Sequence, residues 1–155
     1  MPTRPFIRKV RFEIRPWGNG PDPARELLPY VDTVSLVDLV SAFERAAGYD
    51  VPGQYAGIVL DYFNFGDLTS YLTGRPDSGY WARKGAIALL GCDCGEVGCW
   101  PLEAQVITAG DVVTWRGFAQ PHRPERDYGD FGPFVFRRNQ YERAVREAVA
   151  AASSS

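Results

Sequence analysis

The chain has 155 residues, 45% of them hydrophobic and 14% aromatic. That suffices for one domain with a continuous core, since a chain of this length removes roughly 70% of its unfolded surface from water. Its 17 basic and 19 acidic residues leave a formal net charge of −2, which excludes the one-signed field that draws proteins to phosphate backbones or anionic lipid.

The opening "MPTRPFIRKV" lacks the apolar run of a signal peptide, and no later stretch is uniformly apolar over the roughly 18 residues of a membrane span. A soluble cytoplasmic protein is expected, a single domain over residues 1–152 with a tail at 153–155, binding neither membrane nor nucleic acid. From Phe6 to Arg15, apolar Phe6, Val10, Phe12 and Ile14 alternate with Arg11, Glu13 and Arg15, the period of a half-buried strand. The proline- and glycine-rich run 16–32, "PWGNGPDPARELLPYVD", reads as a long connecting loop. Ser35 then caps a helix in which Leu36, Leu39, Val40, Phe43 and Ala47 form the apolar stripe. Asp38, Glu44 and Arg45 fall on its other faces, and Gly48 is the left-handed stop.

"YAGIVLDYF" suits a buried strand, and "GDLTSYLTG" a short helix opened by Asp67 and closed by Gly74. "RPDSGYWARKG" is a polar loop. "AIALLGC", "WPLEAQVIT" and "VVTWRGFAQ" follow as three antiparallel strands, the last two joined at "AGD". A proline-broken loop, a short strand "FVF" and a helix capped by Asn139, with a stripe from Tyr141 to Ala152, complete the chain. The predicted fold is α+β: a mixed, largely antiparallel sheet with a central three-stranded meander and helices packed on one face.

All three cysteines fall in "GCDCGEVGCWP", between the first two strands of the meander. Cys92 and Cys94, two apart in extended chain, would project to one face, and a hairpin would return Cys99 to them. The single histidine, His122, follows the third strand, so Cys92, Cys94, Cys99 and His122 could supply the four ligands of a tetrahedral zinc. Glycine beside each cysteine permits the sharp backbone bends of a metal knuckle. The one-residue gap between Cys92 and Cys94 is shorter than the usual two to four in zinc pairs. The same pattern therefore also fits a hairpin with buried cysteine corners, a disulfide, or a reactive thiol. In the last case Cys94 or Cys99 would be the nucleophile, with His122, Arg123 or Arg126 to activate it.

Tyr80, Trp81 and Arg83, with Arg123 and Arg126, are the candidate partner- or ligand-binding loop residues, because long exposed loops collect binding groups. "DYFNFGDL" offers Asp61 and Asp67 among aromatic rings, where a strand end and a helix cap account for both carboxylates. No phosphate-cradling loop or Ser–His–Asp order is present.

"LLGCDCGEVGCWPL", "VTWRGFAQPHR" and "FGPFVFRRNQYERA" together resemble a family of small bacterial proteins of actinobacterial type. Its members share a glycine–cysteine hairpin, a tryptophan strand, a QPHR-like loop and a tyrosine-bearing last helix. The family has no established activity, so the resemblance implies a bacterial cytosolic protein and no site residues. Two functions fit the sequence: a small binding protein of immunity or regulatory kind, with a protein or small-molecule partner and a hairpin that zinc could stabilise, or a thiol-dependent or metal-assisted enzyme using the cysteine–histidine cluster. The sequence leaves the oligomeric state open.

Overall fold

The computed structural model describes residues 6–18, 21, 23–62, 66–76 and 86–153. The fold is α+β, as the sequence predicts. Its strands, in chain order, are β1 (Ile7–Arg8), β2 (Val10–Trp17), β3 (Ala24–Val31), β4 (Val34–Ser35), β5 (Tyr55–Ala56), β6 (Ile58–Val59), β7 (Ala86–Cys92), β8 (Leu102–Ala109), β9 (Val112–Ala119) and β10 (Phe134–Arg137). The helices are α1 (Leu36–Ala47), α2 (Leu68–Leu72) and α3 (Arg138–Ser153).

One mixed sheet has the order β1-β10-β9-β8-β7-β5, with β1 parallel to β10 and the remaining pairs antiparallel. At its centre β7, β8 and β9 form the expected meander. A second, antiparallel sheet places β3 between β2 on one edge and β4 and β6 on the other. The expected first strand is therefore divided. β2 keeps the alternation, with Val10 and Phe12 buried and Arg11 exposed, while β1 joins the other sheet.

The run 16–32 is not a loop. β2 continues to Trp17, and β3 pairs with it from Ala24↔Trp17 to Val31↔Val10. Two of its prolines obscured this, and their positions explain why the strands tolerate them. Pro16 lies on edge strand β2, which among the described residues pairs only with β3. On its far edge β3 pairs with β6 at Glu26 and Leu27 and with β4 at Tyr30 and Val31. Pro29 falls in the gap between them, where a missing N–H breaks no ladder.

Rather than one strand, residues 55–59 of "YAGIVLDYF" make a crossing between sheets. Tyr55 and Ala56 pair with β7, Ile58 and Val59 pair with β3, and Gly57 stands between. A Cβ at Gly57 would lie 2.4 Å from the Leu27 carbonyl oxygen, so only glycine fits. The helix caps at Ser35 and Asp67 form as expected, each side chain accepting a backbone N–H, from Asp38 and Ser70 respectively. α3 begins at Arg138, directly after β10, so Asn139 lies inside the first turn and is not its cap. The helix also takes in Ser153, whose hydroxyl donates to the Val149 carbonyl.

α3 buries Tyr141, Ala144, Val145 and Ala148. Tyr141 ties three elements together: its hydroxyl donates to the Leu72 carbonyl (2.6 Å) and accepts from Trp115 Nε1 (3.1 Å). Trp115 is fully buried, with Phe12, Phe136 and Tyr141 packed edge-on or tilted against it. Among the described residues, no helix is long and apolar enough to cross a membrane.

Candidate metal centre

β7 ends at Cys92, whose neighbour across the strand pair is Tyr55. The chain then turns through Asp93 and Cys94, passes Gly95 at φ 96°, makes a single 3-10 turn over Val97–Cys99 and enters β8 after Trp100 and Pro101. Cys99 thus sits in a helical turn and not on a partner strand, and Cys94 lies in the turn and not in extended chain. The sulfurs converge all the same: the three Sγ atoms of Cys92, Cys94 and Cys99 lie within 4.8 Å of one another. All three are thiols, Cys92 buried and Cys94 and Cys99 exposed.

The backbone is wound tightly around this point. Gly95 N–H donates to the Cys92 carbonyl (3.0 Å), and Cys99 N–H to the Glu96 carbonyl (3.2 Å). Cys94 N–H donates to Cys92 Sγ at 3.4 Å, the amide-to-sulfur contact that supports a ligating sulfur. The thiols are electrostatically unequal. Burial pushes the Cys92 thiol up to about 12. Cys94 is held below the usual thiol range, first by a hydrogen bond from the Cys92 side chain and then by the Glu96 N–H.

A buried polar cluster supports the hairpin from below. Glu44 on α1 is fully buried; its Oε1 accepts Gly53 N–H (2.7 Å), and its Oε2 accepts from Tyr55 (2.7 Å), Tyr128 (2.5 Å) and Arg126 Nη1 (3.1 Å). Arg126 also donates to the Asp50 and Val51 carbonyls and lies over the rings of Tyr49 and Trp100. The segment so pinned then holds the hairpin: Gln54 carbonyl accepts Asp93 N–H (3.0 Å) and Gly53 carbonyl accepts Trp100 Nε1 (2.8 Å). Glu44 was expected on an outward face of α1. Instead it shares the buried face of Leu36 and Val40, because four partners satisfy its carboxylate.

The remaining candidates separate. His122 is exposed and does not join the sulfur group; its N–H donates to Gln120 Oε1 (2.9 Å). Arg126 is not a surface binding residue, since its side chain is 2% exposed and engaged with Glu44. Arg123 is half-buried, its guanidinium 5.0 Å from the Trp100 ring centroid. Asp61 and Asp67 have structural partners, Arg25 and the α2 N-terminus. Tyr80, Trp81 and Arg83 lie outside the described residues.

Beside the hairpin, a groove of about 470 Å³ runs along the second sheet, lined among others by Asp93, Tyr55, Trp17, Arg15 and Tyr30. Sequence reasoning missed it because four of its lining residues, Trp17, Glu26, Leu28 and Tyr30, belong to the run 16–32 that reads as a loop.

No protein-family model matches the chain, and no curated protein or solved structure is significantly similar to it.

Proposed function

We propose that this chain is a small binding protein of immunity or regulatory kind, working in a bacterial cytosol, whose cysteine hairpin holds a zinc ion through Cys92, Cys94 and Cys99. The observation that carries the metal reading is the mutual approach of the three sulfurs to within 4.8 Å. Zinc thiolates with bonds of about 2.3 Å set tetrahedral sulfur–sulfur edges near ~3.8 Å, so the side chains need to draw in by about 1 Å at most. In a reducing compartment free thiols persist unless metal or chemistry engages them. The binding-protein reading is supported by the positions of the expected thiol activators: His122 does not belong to the three-sulfur group, Arg126 is committed to Glu44, and Arg123 lies against the Trp100 ring.

Zinc content decides the metal reading. Protein purified without chelator should carry about one equivalent of zinc, and Cys94→Ser should lose it while the circular dichroism spectrum is kept. A metal-free wild type whose three thiols all resist alkylation in the native state would reduce the cluster to packing.

One observation favours a second reading. Cys94 is exposed and its thiol is held low, which suits a thiol-dependent enzyme or redox protein. That reading requires the metal-free protein to react with a small electrophile faster at Cys94 than a free cysteine does, and a reaction no faster than free cysteine eliminates it.

A further inference from the structure

We infer that the metal site keeps one coordination position for an exogenous ligand, and that this ligand is the thiol of a small molecule. The inference rests on the reading of Cys92, Cys94 and Cys99 as a metal site. Among the described residues, no fourth cysteine, histidine or carboxylate donor joins the three sulfurs within 4.8 Å. Asp93 Oδ1 accepts from the Cys92 thiol at 3.6 Å without belonging to the group. Two of the three ligands, Cys94 and Cys99, are exposed, so an ion bound there meets solution on its remaining side. Structural zinc sites close their tetrahedron with four protein ligands, whereas sites that act on something keep one position open.

The class of ligand follows from the donors and the surroundings. Three sulfur donors make a soft site, and soft sites select sulfur over carboxylate or water oxygen. On binding, the incoming thiol forms one sulfur–metal bond, releases its proton to solvent and displaces solvent; no electron is transferred. The groove that begins at Asp93 gives the rest of such a molecule a bed, with the Trp17 and Tyr30 rings for apolar contact and Arg15 and Asp93 for charge. At about 470 Å³ it is the size of a small-molecule site and not of a macromolecular interface. Gly95 packs closely on Trp17 at this end, where a Cβ would stand 3.2 Å from Trp17 Nε1.

Cobalt(II) in place of zinc makes coordination visible. The cobalt-loaded protein would be titrated separately with 2-mercaptoethanol, imidazole and acetate, with protein-bound cobalt measured after desalting. The expected result is a saturable shift of the cobalt d–d bands and a new sulfur-to-cobalt charge-transfer band with 2-mercaptoethanol, cobalt staying bound. Imidazole and acetate should need concentrations at least about tenfold higher. Asp93→Asn should leave the starting spectrum unchanged. Bands that respond to no ligand, a preference for imidazole or acetate, or a starting spectrum altered in Asp93→Asn would each overturn the open thiol position while leaving the metal site standing. Failure to take up cobalt at all overturns both.

Discussion

Val51 has a φ of 53° and is 43% exposed. A β-branched residue in the left-handed region costs about 1–2 kcal/mol, so its backbone must be held by other contacts. The Arg126 guanidinium, bonded to the Asp50 and Val51 carbonyls, is that hold. Val51→Gly removes the steric penalty at a chain-entropy cost of about 0.5–1 kcal/mol and keeps the carbonyl. It should therefore stabilise the protein by about 0.5–1 kcal/mol in urea denaturation. An unchanged or lower midpoint would mean that the strain is absent. The three thiols differ just as sharply. Cys94, exposed and held low, should be carboxymethylated first in metal-free protein, and buried Cys92 last. Mass-spectrometric mapping of partially alkylated protein reads that order directly, and modification of Cys92 ahead of Cys94 would contradict the hairpin geometry.

Between elements, the cysteine hairpin depends on a cluster it does not contain. Glu44 reaches from α1 to the 49–54 segment, to β5 and to the loop after β9, and that segment then anchors Asp93 and Trp100. Glu44→Ala would leave the Arg126 side chain buried without its carboxylate, a loss of about 3–5 kcal/mol, measured as a fall in urea midpoint. A change under about 1 kcal/mol would show that Arg126 escapes to water and that the cluster is not a support. Gly57→Ala tests the crossing between sheets: its Cβ would meet backbone, the Leu27 carbonyl, which cannot swing aside. A loss at or above about 3 kcal/mol, or failure to accumulate as soluble protein, is expected; near-wild-type stability would place the two segments farther apart. These cases mark what was legible in the sequence. The periodicities of α1, α3 and the meander follow from contacts within or between adjacent elements, and so they could be read. Glu44 could not, because its burial depends on Tyr55, Arg126 and Tyr128, which are distant in the chain. β3 was hidden because Pro29 is admissible only in a gap between two partner strands, and such a gap is visible only once β4 and β6 are in place.

At the scale of the whole molecule, two sheets share one core that runs from Leu27 and Val31 through Leu89 and Leu102 to Trp115 and Tyr141. The convergence of the sulfurs was foreseen from the cysteine spacing, though the sequence suggested two facing strands and the structure uses a turn and a 3-10 segment. The expected fourth ligand does not join the sulfur group: chain order places His122 just after β9, and the polypeptide turns there around Gln120, whose carbonyl oxygen accepts Arg123 N–H and whose side chain accepts His122 N–H. Because the hairpin contributes Cys92, Val97 and Trp100 to a core whose other members lie outside it, metal removal should not unfold the chain, in contrast to small domains whose folding is metal binding itself. The coupling should instead be graded. Zinc at a hundredfold excess over its Kd adds about 2.7 kcal/mol to the folded state. In a chain of this size that raises Tm by roughly 5–11 °C. Calorimetry of chelated and zinc-loaded protein should show a cooperative transition in both, separated by that interval, and Cys99→Ser should melt at the chelated temperature whether or not zinc is added. A chelated protein with no cooperative transition would move the hairpin from the edge of the fold to its foundation, whereas equal melting temperatures with and without zinc would leave the three sulfurs without a metal to hold.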